Sequence, residues 1–198
     1  MRWTSSHNEP WSIVRYTIFM VLGLLLLFLL GSVIAAVLSV NALINTLRFG
    51  LPFVTTPQWA IDWLVANLVV NAKDIVCELG CGDARVLAAL ASKHPDATFI
   101  GLEIQWWPWL LAKWRTRNLP NVTIRLADFL QADLSNVTIF YGFFITVMMP
   151  KIAEKLKMGL RSGTQVISFG FALPGWSSTN EIVNPKTGKG SRIRFYRA

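Results

Sequence analysis

Cysteine and histidine, the residues that a metal centre or a disulfide framework needs, are scarce in the sequence. It has two cysteines and two histidines in 198 residues. A structural zinc site takes about four such ligands, and His7 and His94 are far apart in the chain. We therefore predict no metal site. Cys77 and Cys81 are interpreted as small buried thiols, which suits a reducing compartment.

Charged residues are also scarce, at 15% of the chain, whereas hydrophobic residues reach 53%. The apolar excess lies near the N terminus, where residues 16–40 carry no charge and are numerous enough to cross a hydrocarbon core of about 30 Å. The apolar core of a cleaved signal peptide is shorter, about 7 to 15 residues, although Ala35 and Ala36 would suit a cleavage site. We predict a polar tail (1–15), a transmembrane helix (16–40), a connector (41–52) and a globular domain (53–198). The helix is expected to continue a little past the bilayer until Gly50 and Pro52 stop it.

One glycine-rich turn lacks the third glycine of a dinucleotide site. Residues 75–78 indicate a buried strand, Gly80 and Gly82 form the turn, and helical sequence resumes at Ala84. Without a Cβ, these glycines allow a ligand to approach the backbone. A dinucleotide fingerprint needs another glycine three residues later, where this chain has Arg85. The turn is therefore typical of a site that binds a nucleoside, and it lacks the pattern of a site that binds a dinucleotide.

Acidic residues accompany this turn. Glu78 and Asp83 would repel a diphosphate, and they suit a cationic ligand. Residues 98–104 predict a second strand, with Glu103 near its end placed to accept both hydroxyls of a ribose. The alternative is an ordinary strand, turn and helix with incidental acids.

Strands and helices alternate along the rest of the domain. The predicted strands cover residues 75–78, 98–104, 122–126, 137–144 and 165–171. Besides the helix that starts at Ala84, the predicted helices cover residues 57–70, 105–120 and 150–160. A predicted hairpin pairs residues 181–183 with residues 192–196. The first of these helices begins at Pro57 with Thr55 or Thr56 as N-cap. The alternation predicts an α/β fold: a mostly parallel, doubly wound sheet with a C-terminal antiparallel hairpin. Ligands bind beyond the carboxyl ends of such strands.

Positive charge exceeds negative charge, with a net charge of +8. In residues 105–120, four tryptophans alternate with basic side chains. An anionic membrane surface, a nucleic acid, or a solvated basic face with tryptophans packed on the sheet would each explain this pattern. A membrane tether explains the charge without another ligand, so we predict no nucleic acid partner.

The combination E-x-G-x-G-D, followed by an acid at the end of the next strand, resembles motif I of class I S-adenosylmethionine (AdoMet) methyltransferases. Residues 53–176 also resemble a small family of membrane-anchored protein-lysine methyltransferases. Its mitochondrial members modify the c-subunit of ATP synthase and the adenine nucleotide translocase. The matching segments are the N-terminal anchor, Thr56-Pro57, ELGCGDAR (78–85), Glu103 with the tryptophan-bearing helix, the Asp128 region, KIAEKL (151–156) and FALPGW (171–176).

The chain departs from this family at three places. Ala84 stands where the family usually has a glycine. The tryptophan-bearing helix opens Gln105-Trp106-Trp107 instead of Asn-Pro-Trp, and the proline after the fourth strand is delayed to Pro150. The last two departures affect the expected shape of the substrate channel and leave cofactor binding intact.

The resemblance implies a Rossmann-like class I methyltransferase fold with AdoMet as cofactor. It implies a cofactor site made of Glu78, Gly80, Cys81, Gly82, Asp83, Glu103, Asp128 and Phe129. In this site Glu103 binds the ribose, Asp128 binds the adenine amino group and Phe129 lies against the adenine ring. Glu78 and Asp83 organise the loop and the cationic amino-acid end of the cofactor. Thr56 and Tyr141 are candidates to face the methyl group, and no catalytic base is assigned.

The resemblance further implies methyl transfer to a lysine of a membrane-associated protein. The alternatives are methylation of a lipid head group or small membrane-resident molecule, and a non-catalytic AdoMet-binding membrane module. Arg2 and Arg15 precede the span and Arg48 follows it, so the positive-inside rule slightly favours a cytoplasmic N terminus. Because AdoMet is kept in the cytosol or an organelle matrix, we instead expect the catalytic domain to face that side.

Overall fold

The computed structural model describes residues 10–49, 54–143 and 148–198. Contacts divide the chain into two compact units, Met1–Pro52 and Phe53–Ala198. The described part of the first unit is a 40-residue helix, α1 (Pro10–Phe49). This helix extends past the predicted span at both ends, into the predicted tail and connector. Gly50 and Pro52, predicted to stop the helix, lie outside the described residues.

Helix α1 has the properties of a membrane span. Its segment Trp11–Val40 is long and apolar enough to cross a bilayer by length and composition, and its most apolar stretch is not buried against any other described residues. A signal sequence near an N terminus shares these properties. The hydroxyls of Thr17, Ser32 and Ser39 each donate to the carbonyl four residues earlier, at 2.8 to 2.9 Å. Their hydrogen bonds are thus made within the helix, which a hydrocarbon environment requires.

The second unit is a mixed sheet with helices on both faces. Its helices are α2 (Gln58–Asn67), α3 (Arg85–Lys93), α4 (Trp106–Arg115) and α5 (Met149–Gly159), with a 3₁₀ turn at Phe129–Gln131. Its strands are β1 (Ile75–Leu79), β2 (Thr98–Glu103), β3 (Val122–Leu126), β4 (Ile139–Phe143), β5 (Gln165–Gly170), β6 (Asn180–Ile182) and β7 (Arg192–Arg197). Among the described residues the strand order is 3-2-1-4-5-7-6, with β7 antiparallel to β5 and β6. The predicted doubly wound sheet and C-terminal antiparallel hairpin are confirmed.

The start of α2 differs from the prediction. Its N-cap position is Pro57, and no side chain of the described residues caps the helix. The Thr56 hydroxyl instead lies 2.9 Å from the Tyr141 hydroxyl, and both residues are buried. The prediction of Thr55 or Thr56 as N-cap is wrong, because Pro57 holds that position and the Thr56 hydroxyl makes a tertiary hydrogen bond instead. Phe144, the last residue of the predicted fourth strand, lies outside the described residues.

Alternate residues of the central strands face two separate cores. Val76 packs with α2 and α3 on one face of the sheet, while Cys77 packs with α5 on the other. This alternation follows from the two-residue period of a strand. The strand order reverses between β1 and β4, so the crevice beyond the carboxyl end of β1 is the switch point at which doubly wound sheets bind ligands.

Gly101 on β2 allows the turn after β1 to pack closely against the sheet. A Cβ on Gly101 would lie 2.7 Å from Ile124 Cδ1, 2.8 Å from Cys81 Sγ and 2.9 Å from Leu87 Cδ1.

We expect Gly101→Ala to lower the free energy of unfolding by about 1 to 3 kcal/mol, the usual cost of overpacking a core. Chemical denaturation of the detergent-solubilised chain measures this effect. Gly159→Ala is the control, because its Cβ would have no neighbour closer than 3.9 Å; equal midpoints for the two variants would contradict the prediction.

Candidate functional site

The turn between β1 and α3 has an unusual backbone. Gly80 and Gly82 have φ of 63° and 56°, in the left-handed region that glycine tolerates. Ala84 also has a φ of 56°, so α3 begins at Arg85 and not at Ala84 as predicted. A Cβ built on Gly80 would meet no atom of the described residues within 4 Å. The space beside the turn is therefore open to a ligand that approaches the backbone.

Glu103 ties this turn to the end of β2. The Gly82 N–H donates to its Oε2 at 2.9 Å, and the Gln105 N–H donates to its Oε1 at 2.8 Å. Burial raises the pKa of Glu103, while the N–H donors of Gln105 and Gly82 act in the opposite direction. The N–H of Ile104 also lowers the pKa of Glu103, and a carboxylate has about four acceptor positions for such donors. The side chain is thus held in place by the backbone and can still accept hydroxyl donors from a ligand.

Glu78, on β1, is a buried acid with an unused acceptor. Among the described residues its Oε2 has no hydrogen-bond partner. Burial raises the pKa of Glu78 well above its ordinary value; an N–H bond from Leu87 opposes this shift, and the charges of Asp83 and Glu103 reinforce it. Buried polar atoms are normally paired. The free oxygen therefore suits a ligand that brings a donor or a positive charge.

The raised pKa of Glu78 predicts a pH-dependent stability. Between the unfolded-state pKa near 4.5 and the higher folded-state pKa, the folded chain holds one more proton than the unfolded chain. The free energy of unfolding therefore falls as pH rises through that interval, by up to about 1.4 kcal/mol per pH unit. We expect Glu78→Gln to remove this slope. The free energy of unfolding of the variant minus that of the parent chain should therefore be larger at pH 8 than at pH 4.5.

Thermal unfolding without cofactor across pH measures this difference. Glu103 contributes a slope of the same sign, so the comparison uses the difference between Glu78→Gln and the parent chain. Glu154→Gln, at an exposed position of α5, is the matched control. Parallel curves for Glu78→Gln and the parent chain would show that Glu78 does not titrate in this way.

Asp83 is held by two arginines that the sequence did not single out. Arg85 donates to both of its carboxylate oxygens, at 3.0 and 2.8 Å, and Arg115 of α4 donates to Oδ2 at 2.7 Å. Burial disfavours the Asp83 charge, but the hydrogen bonds of Arg85 and the charge of Arg115 outweigh it and lower the pKa of Asp83. Arg115 also donates to the Asp83 carbonyl at 2.9 Å. Asp83 thus fastens α4 to the glycine turn, and its predicted contact with the cationic end of AdoMet stays a prediction.

Asp128 and Phe129 follow β3 beside the same edge of the sheet. The Ala127 N–H donates to the Glu103 carbonyl at 2.8 Å, which brings this segment next to the end of β2. Asp128 Oδ1 accepts from the Leu130 N–H at 2.9 Å and so caps the 3₁₀ turn. Phe129 is buried in the core on the α5 side. The structure therefore places both residues near Glu103 and gives each a structural role.

Thr56 and Tyr141 form a buried hydroxyl pair, and Tyr141 lies opposite Glu78 in the register of β1 and β4. Burial raises the pKa of Tyr141 far above its ordinary value, and the charge of Glu78 adds to the shift. The phenol is therefore neutral at physiological pH, and it acts as a hydrogen-bond donor or acceptor. The two candidates predicted to face the methyl group thus lie together, next to Glu78, whose Oε2 has no hydrogen-bond partner among the described residues.

The cysteines are buried free thiols, as predicted. Burial raises the pKa of Cys77 to about 12 and that of Cys81 well above its usual value, and the charge of Glu78 raises both further. In the ranges 10–49, 54–143 and 148–198, no group of three or more His, Cys, Asp or Glu side chains could hold a metal ion. Cys81 belongs to the turn through its backbone, since its N–H donates to the Leu102 carbonyl at 3.1 Å.

Comparison with known proteins identifies relatives of this domain. The family described as the ANTKMT methyltransferase domain matches residues 78–180. A protein-lysine N-methyltransferase of Saccharolobus islandicus (strain REY15A) is 28% identical over 147 residues, covering 69% of this chain and 86% of the relative. The ATP synthase c-subunit lysine N-methyltransferase of Mus musculus is 28% identical over 135 residues, covering 64% of this chain and 51% of the mouse protein. The match thus spans about half the length of the mouse protein.

Solved structures share the fold. The RNA methyltransferase of Salinibacter ruber, solved with S-adenosyl-L-homocysteine, superposes with a TM-score of 0.66 and 24% identity, covering 73% of this chain and 93% of that one. At this level of identity the likeness concerns the fold alone. The predicted class I methyltransferase fold is confirmed.

Proposed function

Since the chain belongs to the ANTKMT methyltransferase domain family and is therefore an AdoMet-dependent methyltransferase, we propose that it methylates a lysine side chain of a membrane-associated protein. The observation that carries the site assignment is the carboxylate of Glu103 at the end of β2, next to β1 and its switch point, where the N–H groups of Gly82 and Gln105 hold it. The substrate class is supported by the relatives that match this chain, which are named as protein-lysine and ATP synthase c-subunit lysine methyltransferases.

The residues around the turn fit AdoMet. Glu103 would accept the ribose hydroxyls with its remaining lone pairs, and the open face of Gly80 leaves room for the cofactor beside the backbone. The unpaired Oε2 of Glu78 would meet the cationic amino-acid end of the cofactor. Asp128 and Phe129 would hold the adenine amino group and ring. Cys81, Gly82 and Asp83 complete the proposed site through the shape of the turn.

Bound AdoMet supplies a methyl group on a positively charged sulfur, a reactive donor with a neutral leaving group. The protein then has to hold a neutral amine in line with that methyl group, and correct orientation can contribute about 7 to 11 kcal/mol to lowering the barrier. Thr56 and Tyr141 are proposed to orient the acceptor amine as hydrogen-bond partners. Neither is proposed as a base, because Tyr141 has a raised pKa and its hydroxyl is already bonded to Thr56.

Membrane tethering is proposed from α1. Its segment Trp11–Val40 has the length and composition of a span, and its hydroxyl side chains bond within the helix. We propose that residues 16–40 anchor the chain by a single pass and that the domain from residue 53 to 198 lies on the side where AdoMet is kept, the cytosol or an organelle matrix. Such a tether would place the active site within reach of lysines near the bilayer.

Transfer of a labelled methyl group distinguishes lysine methylation from the alternative functions, methylation of a lipid or small molecule and binding of AdoMet without catalysis. The detergent-solubilised chain is incubated with membranes and AdoMet labelled in its methyl group, and the products are divided into protein and lipid extracts. We expect label in a protein band, with mass spectrometry placing it on lysine. Label in the lipid extract would instead favour a lipid head group or small membrane-resident acceptor, and no label at all would indicate a non-catalytic binding module.

A further inference from the structure

Helix α4 presents an apolar stripe to solvent. Trp107, Leu110, Leu111 and Trp114 have exposed fractions of 42%, 42%, 36% and 65%. Their spacing of three, four and seven residues places them on one side of the helix. The opposite side of α4, with Pro108 and Ala112, is buried. Trp107 and Trp114 are therefore not packed on the sheet, whereas Trp109 is partly buried against its core, as the third explanation for the basic, tryptophan-rich segment requires.

Basic residues border this stripe. The Arg117 guanidinium lies 4.5 Å from the Trp114 ring centroid and donates to the Trp114 carbonyl at 2.7 Å. Lys113 is exposed and has its ammonium 5.8 Å from the Trp109 ring centroid. Neither cation forms an ion pair among the described residues, whereas Arg115 is bound to Asp83. The positive charges of Lys113 and Arg117 are therefore available to an anionic partner.

We propose that the α4 stripe, Trp107, Leu110, Leu111 and Trp114, docks on the surface of an anionic lipid bilayer. Tryptophan is favoured at the level of the lipid head groups, and leucine is favoured just below them. Lys113 and Arg117 would meet lipid phosphates, and each basic residue at such a surface contributes about fivefold to the binding constant. Contiguous exposed apolar patches rimmed by polar residues are typical of surfaces that bind a protein or a membrane.

The two leucines favour a bilayer over a nucleic acid. Single-stranded nucleic acids bind by stacking bases on aromatic rings along a positively charged groove. Leu110 and Leu111 interrupt the tryptophans and offer no ring for stacking, yet they contribute apolar area that a bilayer would cover. The inference rests on the proposed membrane tether, and it adds a second contact with the bilayer, made by the catalytic domain itself.

This docking would also connect the bilayer to the cofactor turn. Arg115, on α4, holds Asp83 at 2.7 Å, and Asp83 lies directly after Gly82. An ion pair therefore joins the docked helix to the turn. The helix that contacts lipid would also fix the position of the active site relative to the bilayer surface. An acceptor lysine at the membrane surface would be within the reach of a site oriented in this way.

Spin-label depth measurements on the full chain test the proposal. The chain is reconstituted in nanodiscs of phosphatidylcholine and phosphatidylglycerol, with a nitroxide on Leu110→Cys, on Lys189→Cys in the exposed turn before β7, or on Leu26→Cys in α1. Cys77 and Cys81 are buried and do not compete for the label. We expect the label at residue 110 to collide more with oxygen than with a water-soluble nickel complex, at a depth of about 5 to 10 Å. The label at residue 189 should show the reverse.

A charge-reversed chain supplies the second measurement. Lys113→Glu with Arg117→Glu should return the residue 110 label to a water-like environment, while Lys186→Glu with Lys189→Glu should leave it immersed. Unchanged AdoMet affinity confirms that each variant is folded.

The other outcomes are distinct. A water-like label at residue 110 with an immersed label at residue 26 overturns the docking and leaves the tether intact, whereas water-like labels at both positions also refute the tether. Dipolar broadening at residue 110 would show that a second copy covers the stripe, and immobilisation only after RNA is added would show a nucleic acid surface; either result overturns the proposal.

Discussion

Glu103→Ala is expected to lower the affinity for AdoMet by roughly 100-fold or more. The substitution removes the proposed acceptor of the ribose hydroxyls, and hydrogen bonds to a charged group contribute about 1.5 to 3 kcal/mol each. It also leaves the N–H groups of Gly82 and Gln105 without their carboxylate partner, so the glycine turn loses its tie to β2. Isothermal titration calorimetry on the detergent-solubilised chain measures the loss.

Two further variants make this result specific. Glu103→Gln keeps one carbonyl oxygen as acceptor, so we expect an affinity between those of the parent chain and the alanine variant. Glu154→Ala removes an exposed acid on α5 and should change nothing. A thermal unfolding curve confirms that each variant is folded. Unchanged affinity in a folded Glu103→Ala chain would show that the ribose is bound elsewhere.

Removal of residues 1–52 is expected to lower the rate of methylation of a membrane-embedded protein by about 100-fold or more. Tethering raises the effective concentration of enzyme at its substrate, and such effects commonly reach 10²- to 10⁴-fold. The shortened chain should keep its affinity for AdoMet, because every residue proposed for the cofactor site lies between Glu78 and Phe129. Initial rates of methyl transfer to intact membranes, together with calorimetry, measure the two quantities.

Replacement of α1 by an unrelated single-pass helix of the same orientation is the matched control, and it should restore the rate. Restoration would assign the effect to tethering and not to the sequence of α1. A shortened chain that fails to fold, or one that methylates membranes at the full rate, would contradict the proposed arrangement of an independent domain on an anchor.

Much of the fold was predictable because it depends on local periodicity. The alternation of strands and helices, the C-terminal hairpin and the mostly parallel sheet all follow from patterns within about ten residues. The boundaries shifted where a single backbone angle or a distant partner intervened. The positive φ of Ala84 delays α3 by one residue, and the hydroxyl of Tyr141 takes Thr56 away from the start of α2.

The candidate site was predictable only in part. The positions of Gly80, Gly82 and Glu103 at strand ends followed from their spacing, because parallel strands bring their carboxyl ends to one edge. The ion pairs of Asp83 did not follow, since Arg115 is 32 residues away and reaches Asp83 only when α4 docks on the sheet. The close contact of Gly101 with Cys81 was missed for the same reason.

The sequence by itself determined the elements, the acidic glycine turn and an apolar segment long enough for a membrane, because these depend on residue type and on spacing along one stretch of chain. Tertiary structure alone decided which charges are neutralised, which hydroxyls pair and which side of α4 faces outward. The first seven residues of α4 are all apolar and do not themselves specify a buried side. The docking of Pro108 and Ala112 on the sheet leaves Trp107 and Trp114 exposed. These properties depend on contacts between segments that are distant in sequence, which no local pattern records.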